Sequence, residues 1–257
     1  MIVLSDASQI RNLLETDRPW SAYPLGDLAP GLFEQGSWYC PSAGDQALVL
    51  LFRGFTPPVL FTLGSPEVLG RLLPEIPFEP NVHVHIRPEI LPILTARYSV
   101  PNPVKIWRMA LDPGAFAAPA SSGVVRLSLA DLAAVEELYA DGESAGEKPH
   151  FFRPSMLQDA IFYGVWENKE LIAAAGTHLV VPAEGVAAIG NVYTRRDRRG
   201  RGLAARTASA VVNDLVGMRI QTIVLNVAQQ NLPAIRIYER LGFKRHCAYY
   251  EGLAVSL

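Results

Sequence analysis

Between residues 195 and 202 the chain reads Arg195-Arg196-Asp197-Arg198-Arg199-Gly200-Arg201-Gly202, five arginines and two glycines in eight residues. Glycine lets a backbone approach a ligand closely, and arginine carries a charge that no physiological pH removes. If a strand enters this loop and a helix leaves it, several backbone N–H groups converge on one point and the helix dipole adds to their pull. The chemistry such a place suits is the binding of a phosphate. A Walker loop would end in Gly-Lys-Ser/Thr, and no lysine is present. A dinucleotide fingerprint is formally present as Gly200-Arg201-Gly202-Leu203-Ala204-Ala205, but it expects an acidic residue on the next strand, where Asn226 stands instead.

The elements that must position the loop are legible on both sides. Val186 to Thr194 is small and β-branched, which predicts a buried strand. Leu203, Thr207, Val211 and Leu215 recur at helical spacing, with Gly217 in the place of a C-cap glycine. A strand is predicted over Thr222 to Val227, then a helix over 231–241 with Asn231 as N-cap and Ile235, Tyr238 and Leu241 on one face.

Arg199-Gly200-Arg201-Gly202-Leu203-Ala204 resembles the pyrophosphate loop of the Gcn5-related N-acetyltransferase (GNAT) superfamily, Arg/Gln-x-x-Gly-x-Gly/Ala, at every fixed position. Further on, Asn231-Leu232-Pro233-Ala234-Ile235-Arg236-Ile237-Tyr238-Glu239-Arg240-Leu241-Gly242-Phe243 is similar to that family's Asn-x-x-Ala-x-x-x-Tyr-x-x-x-Gly-Phe segment. The resemblance implies a mixed, mostly antiparallel central sheet flanked by helices, and acetyl-CoA, or another short acyl-CoA, as co-substrate without a metal. It implies pyrophosphate on the N–H groups of Arg199, Gly200, Arg201, Gly202, Leu203 and Ala204. It also implies a splayed strand end at Val192, Tyr193 and Thr194, with the backbone of Val192 and Thr194 pairing the pantetheine arm. Asn226 and Asn231 would touch the cofactor, and Arg195, Arg196 and Arg206 are candidates for outer phosphates. Tyr238 would be the acid that protonates the departing sulfur. A phenol near pKa ~10 facing a thiolate near ~8.5 is a workable pair, since the proton is needed only as charge appears. Tyr238 as plain core is the competing reading. The general base stays open among Glu143, Glu147 and His178.

The remaining composition excludes other classes. The 257 residues are 49% hydrophobic and 19% charged with a net charge of −2, which gives no overall basic bias towards nucleic acid. No apolar run approaches a membrane span, and the start Met1-Ile2-Val3-Leu4-Ser5-Asp6 lacks a signal peptide's basic segment. Cys40 and Cys247 are too few for a disulfide framework, so a cytoplasmic home is expected. His83 and His85 share a strand face, but no third ligand matches their spacing.

Residues 1–113 carry strands and helices without a phosphate loop: a strand and helix over 3–14, strands near 46–53, 58–62, 82–86 and 104–111, and short helices at 65–73 and 88–96. The stretch 114–123 is small, polar and Pro/Gly-rich and is the expected linker. From 124 to 257 a strand, two helices, a loop with Glu143, Glu147 and His150, and a hairpin around 167–170 precede the motif region. The opening of this half echoes the opening of the chain: strand, serine, helix. Expected, then, is a degenerate GNAT-like domain over 1–113 and a catalytic one over 124–257. The function expected from the resemblance is acetyl transfer to the primary amine of a small molecule or amino acid, by direct attack in a ternary complex. The protein would be a monomer or weak homodimer with no nucleic-acid or membrane partner. A non-catalytic acyl-CoA sensor and a protein-lysine acetyltransferase are the alternatives.

Overall fold

A computed structural model describes residues 1–42, 44–77, 79–116, 123–149 and 151–257. The expected linker falls largely outside these residues, as does His150. The chain forms two compact units, one of residues 1–108, 227–230 and 245–257, the other of 109–226 and 231–244. The sequence reading runs its second domain on to residue 257. Here 245–257 belong with the first unit, because Tyr250 to Val255 pair with a strand of that unit, Ile86 to Asn81.

In the first unit the order is β1 (Ile2–Leu4), α1 (Ala7–Leu14), α2 (Ala22–Gly26), β2 (Gly36–Cys40), β3 (Leu48–Phe52), β4 (Val59–Leu63), α3 (Pro66–Leu72), β5 (Asn81–Ile86), α4 (Leu91–Leu94), β6 (Tyr98–Ser99) and β7 (Val104–Leu111), whose last residues pass into the second unit. β1 to β4 run antiparallel in sequence order, and β5 joins β4 in parallel. Leu48 to Phe52 is buried throughout, as a continuous apolar run demands. Val49, Leu51, Leu69, Leu72, Val84 and Ile90 pack into one core beneath the helices.

The second unit contains β8 (Val125–Arg126), α5 (Leu132–Ala140), α6 (Met156–Asp159), β9 (Phe162–Glu167), β10 (Glu170–Val181), β11 (Val186–Thr194), α7 (Leu203–Gly217), most of β12 (Thr222–Ala228), α8 (Leu232–Arg240) and the start of β13 (Phe243–Ser256). β8 to β11 are antiparallel neighbours in sequence order, and β12 joins β11 in parallel. The architecture is thus the mixed, mostly antiparallel sheet flanked by helices that the motifs imply. The order strand, two helices, three strands, helix, strand occurs in both units, with the parallel pair at the same place.

The predicted elements and the observed ones differ in few places. β2 carries no clear alternation in sequence and is a strand only in the structure. α7 runs through Gly217, and Arg219 instead takes the left-handed turn, at φ 60°. There Ile220 N–H reaches Leu215 C=O at 3.1 Å, a closure that does not need glycine at 217. Among the described residues no helix is long and apolar enough to cross a membrane, and no group of three His, Cys, Asp or Glu stands together as a metal site. His85 is half-buried against the Tyr249 ring rather than facing solvent.

Candidate active site

β11 is the element that opens the site. Its parallel pairing with β12 runs from Val186↔Thr222 to Ile189↔Leu225 and stops there, although β11 continues to Thr194. On its other edge β11 stays paired with β10 as far as Ala173↔Thr194. The backbone of residues 190–194 is therefore anchored on one side and released on the other, with Asn226 just beyond the last paired residue of β12. The release coincides with a bulge: Asn191 and Val192 together stand opposite Ala175, and Asn191 adopts φ 53°. Asparagine is the side chain that tolerates this conformation best, at a cost of about 1 kcal/mol. The tertiary structure holds it there: Tyr139 Oη donates to Asn191 C=O at 2.8 Å, and the Asn191 amide lies 3.7 Å from Met156 Sδ. Asn191 Oδ1 and Thr194 Oγ1 are buried without a hydrogen-bond partner among the described residues.

Beyond Thr194 a single 3₁₀ turn, Arg196–Arg198, leads into Gly200 at φ 78° and Gly202 at φ 71°. A Cβ at either glycine would meet nothing within 4 Å. Their place in the loop is thus fixed by left-handed backbone, a different reason from the close approach expected from sequence. Gly202 is the N-cap of α7 and offers no side chain, and no acidic residue stands in the first turn. The first helical bond runs from Arg206 N–H to Gly202 C=O at 3.1 Å, so the N–H groups of Leu203, Ala204 and Ala205 have no intrahelical acceptor. A fifteen-residue helix thus presents an uncapped, dipole-positive end directly after the released strand.

The loop's arginines are less free than their count suggests. Arg195 pairs with Glu170 at 2.5 Å and Asp197 at 3.0 Å, and Arg198 pairs with Glu167 at 2.9 Å. Arg201 also reaches Glu167, at 2.7 Å, and Arg199 reaches Glu147 at 2.5 Å. Arg196 is the one arginine of 195–201 without a carboxylate in ion-pairing range among the described residues. Arg206 lies outside the turn, its guanidinium over Gly123.

These pairings bear on the base candidates. The hydrogen bond from Arg199 holds the Glu147 carboxyl below the usual range, which makes it a weak proton acceptor. Glu143 is paired with Lys148 at 3.3 Å. His178 occupies a bulge of β10, lies edge-on to Phe151 at 5.1 Å and covers Gly190 so closely that a Cβ there would fall 2.0 Å from its Nε2. Gly190 is therefore what lets an imidazole sit over β11.

Tyr238 faces inward on α8, 8% exposed and edge-on to Phe243. Burial pushes its phenol up to about 12, so it is protonated throughout the neutral range. Asn231 accepts from Ala234 N–H at 3.2 Å and caps α8, which occupies the side chain expected on the cofactor. Val192, Tyr193, Thr194 and the turn 199–204 are contiguous and brought together. Asn226 stands at the end of the paired strands, while Asn231 and Tyr238 belong to the separate helix α8.

Asp141 is a further residue of the site. It accepts from Tyr193 Oη at 2.9 Å and from Arg196 N–H at 2.9 Å, tying the strand end to the loop. Burial pulls its pKa up, but these two donors and the nearby arginines outweigh that and hold it below 3.8. Burial and the bond to Asp141 raise Tyr193 to about 12. Gly142 is part of the same joint, since a Cβ there would lie 2.9 Å from the Tyr193 ring. No motif spacing links Asp141 to a loop 55 residues later; only the aspartate at the end of a predicted helix could have hinted at it.

The model of the acetyltransferase (GNAT) family matches residues 131–243. A mycothiol acetyltransferase of Corynebacterium aurimucosum is 38% identical over 82 residues, 29% of this chain and 27% of that protein's length. A solved GNAT-family structure from Novosphingobium aromaticivorans superposes with a TM-score of 0.62 at 22% identity, covering 94% of this chain and 100% of that one. A GCN5-related N-acetyltransferase from Kribbella flavida gives 0.62 at 15% identity, covering 93% and 94%. The chain thus has the fold of these GNAT structures, and its segment 131–243, which carries the released strand and the Arg-Gly turn, matches the acetyltransferase (GNAT) family.

Proposed function

We propose that the protein is an acyl-CoA-dependent N-acyltransferase that moves an acetyl group from acetyl-CoA to the primary amine of a small molecule or amino acid. The observation that carries this reading is the junction of the one-sided end of β11 with the uncapped N-terminus of α7. Acetyl-CoA supplies an activated acyl thioester. The chain's residues fit it: the N–H groups of the 199–204 turn suit its pyrophosphate, and the free backbone edge at Val192 and Thr194 suits the amides of its arm. Thr194 Oγ1 and Asn191 Oδ1 are polar atoms on that strand end with no partner among the described residues. Asp141 acts as a positioning residue by holding Tyr193 and Arg196 in register.

Tyr238 is assigned the acid role. At about 12 its phenol is too weak an acid to give up its proton fully to a thiolate near ~8.5, so its contribution is a hydrogen bond to the departing sulfur. With Glu143 and Glu147 both ion-paired, His178 is the candidate to take the proton of the amine. The matching order of elements in the two units supports reading the chain as a tandem GNAT arrangement with a degenerate first copy. The likeness to a mycothiol acetyltransferase makes that acceptor class the first to try.

A second reading, an acyl-CoA sensor without turnover, is favoured by the ion pairing of both glutamates. One experiment separates them: calorimetry with acetyl-CoA, followed by thiol release over an amine panel. Binding with thiol release on one amine supports the enzyme, and binding without release on any amine supports the sensor. No binding removes both.

A further inference from the structure

The first unit holds a second concentration of unsatisfied polar atoms, built around Trp20. Arg108, in β7, is 1% exposed, and its guanidinium stands 5.6 Å from the Trp20 ring, 4.8 Å from Tyr23 and 5.6 Å from Tyr249. Its Nε and Nη1 are buried and no described residue accepts from them. Arg87 approaches the same indole at 5.4 Å; Asp17 is its ion partner, yet its Nε is also buried without an acceptor among the described residues. Ser21 Oγ, next in the chain, and Thr62 Oγ1, whose residue's carbonyl takes the indole N–H at 2.9 Å, also have no partner among the described residues.

Aromatic faces stabilise a cation but accept only weak N–H···π contacts, which do not replace a bond to oxygen. The carboxylates nearby are engaged elsewhere. Asp17 binds Arg87 and His246, and Glu251 accepts from Tyr249 Oη at 3.0 Å and lies 4.0 Å from His85. Arg108 has no carboxylate in ion-pairing range among the described residues. A guanidinium buried without a counter-ion is among the costliest arrangements a fold can keep, so one that persists points to an anion that completes it. At its edge stand His85 and Glu251, whose side chains are 22% and 42% exposed.

We infer that Arg108, walled by Trp20, Tyr23 and Tyr249, is the anchor of a binding site for a small monocarboxylate with a compact apolar body. A carboxylate fits better than a phosphate. One uncompensated guanidinium matches one negative charge, Arg87 is already neutralised by Asp17, and no glycine turn or lysine lies in the cluster. The inference rests on the first unit alone and stands whether or not the acyltransferase reading does.

The test is calorimetric titration of the full chain with sodium benzoate, with benzamide and inorganic phosphate as comparisons. Expected is saturable benzoate binding, with benzamide and phosphate each weaker by roughly tenfold or more. Arg108→Met should weaken benzoate by about tenfold or more, and Glu251→Gln should tighten it about two- to fivefold by removing a like charge. Equal affinity for acid and amide, tighter phosphate than benzoate, or unchanged binding in Arg108→Met overturns the site. Should Arg108→Met fail to fold, the acid–amide comparison and Glu251→Gln decide the matter. Loss of benzoate binding in Gly202→Val would place the anion at the Arg-Gly turn and also overturns it.

Discussion

Two strand-to-helix turns hold the same position in the order of elements, β4 to α3 in the first unit and β11 to α7 in the second, and they end their helices in opposite ways. After β4 the turn is only Gly64-Ser65. Ser65 Oγ accepts from Val68 N–H at 3.4 Å, and Pro66 at the first helical position has no N–H to offer. Gly64, at φ 125°, is pressed so near Ala47 that a Cβ would fall 2.6 Å from it. After β11 the turn is long, its two glycines stand in open space, and the helix end has no side-chain cap. The lesson is that a helix N-terminus becomes available to an anion only when its own sequence does not already satisfy it. A capping serine and a proline stabilise α3 and close it, whereas their absence leaves α7 less self-sufficient and open.

The largest effect should come from closing the open turn. Gly202→Val forces a β-branched residue into left-handed backbone, which costs about 1–2 kcal/mol. Calorimetry should show acetyl-CoA affinity falling by roughly a hundredfold or more, because the N–H groups then lose their alignment. Unchanged affinity would dissolve the contrast between the two turns. Next, Tyr238→Phe should cut turnover by about a hundredfold while leaving acetyl-CoA affinity within about twofold, as a group engaged only when the sulfur leaves would do. A parallel loss of affinity would make Tyr238 core.

A smaller effect is expected at the joint between strand and loop. Asp141→Asn should weaken acetyl-CoA about tenfold and destabilise the fold by about 1.5 kcal/mol, since two hydrogen bonds lose a charged acceptor. The folded pKa of Asp141 lies below its ordinary 3.8, so its contribution is present above that pH and is lost as pH falls through the folded value. The stability gap between wild type and variant should therefore narrow in acid unfolding below pH ~3.8, and a gap that widens there would contradict the assignment. The smallest effect belongs to the closed turn. Ser65→Ala should cost ~1 kcal/mol of thermal stability through the lost cap and leave acetyl-CoA affinity untouched.

Much of this was legible in the chain. The bounds of β11 and β12, the start of α7 and the extent of α8 follow from apolar spacing and turn residues, because in those segments local preference and tertiary burial agree. At the start of α3 the same agreement holds, a capping serine at 65 followed by a proline at 66. β2 is not legible there, because only pairing on both edges, with β1 and β3, makes Gly36–Cys40 a strand.

The sequence by itself determined the Arg-Gly turn, the helix behind it and the order of elements in the second unit, since these depend on residues adjacent in the chain. Only the tertiary structure decided that β11 lets go of β12 after Ile189, that Tyr139 and Met156 hold Asn191 in a left-handed bulge, and that most of the loop's arginines answer to Glu147, Glu167 and Glu170. Each of these is a contact between residues distant in sequence. Strand register, burial and charge pairing are properties of the assembled fold, and the spacing of residues along the chain does not contain them.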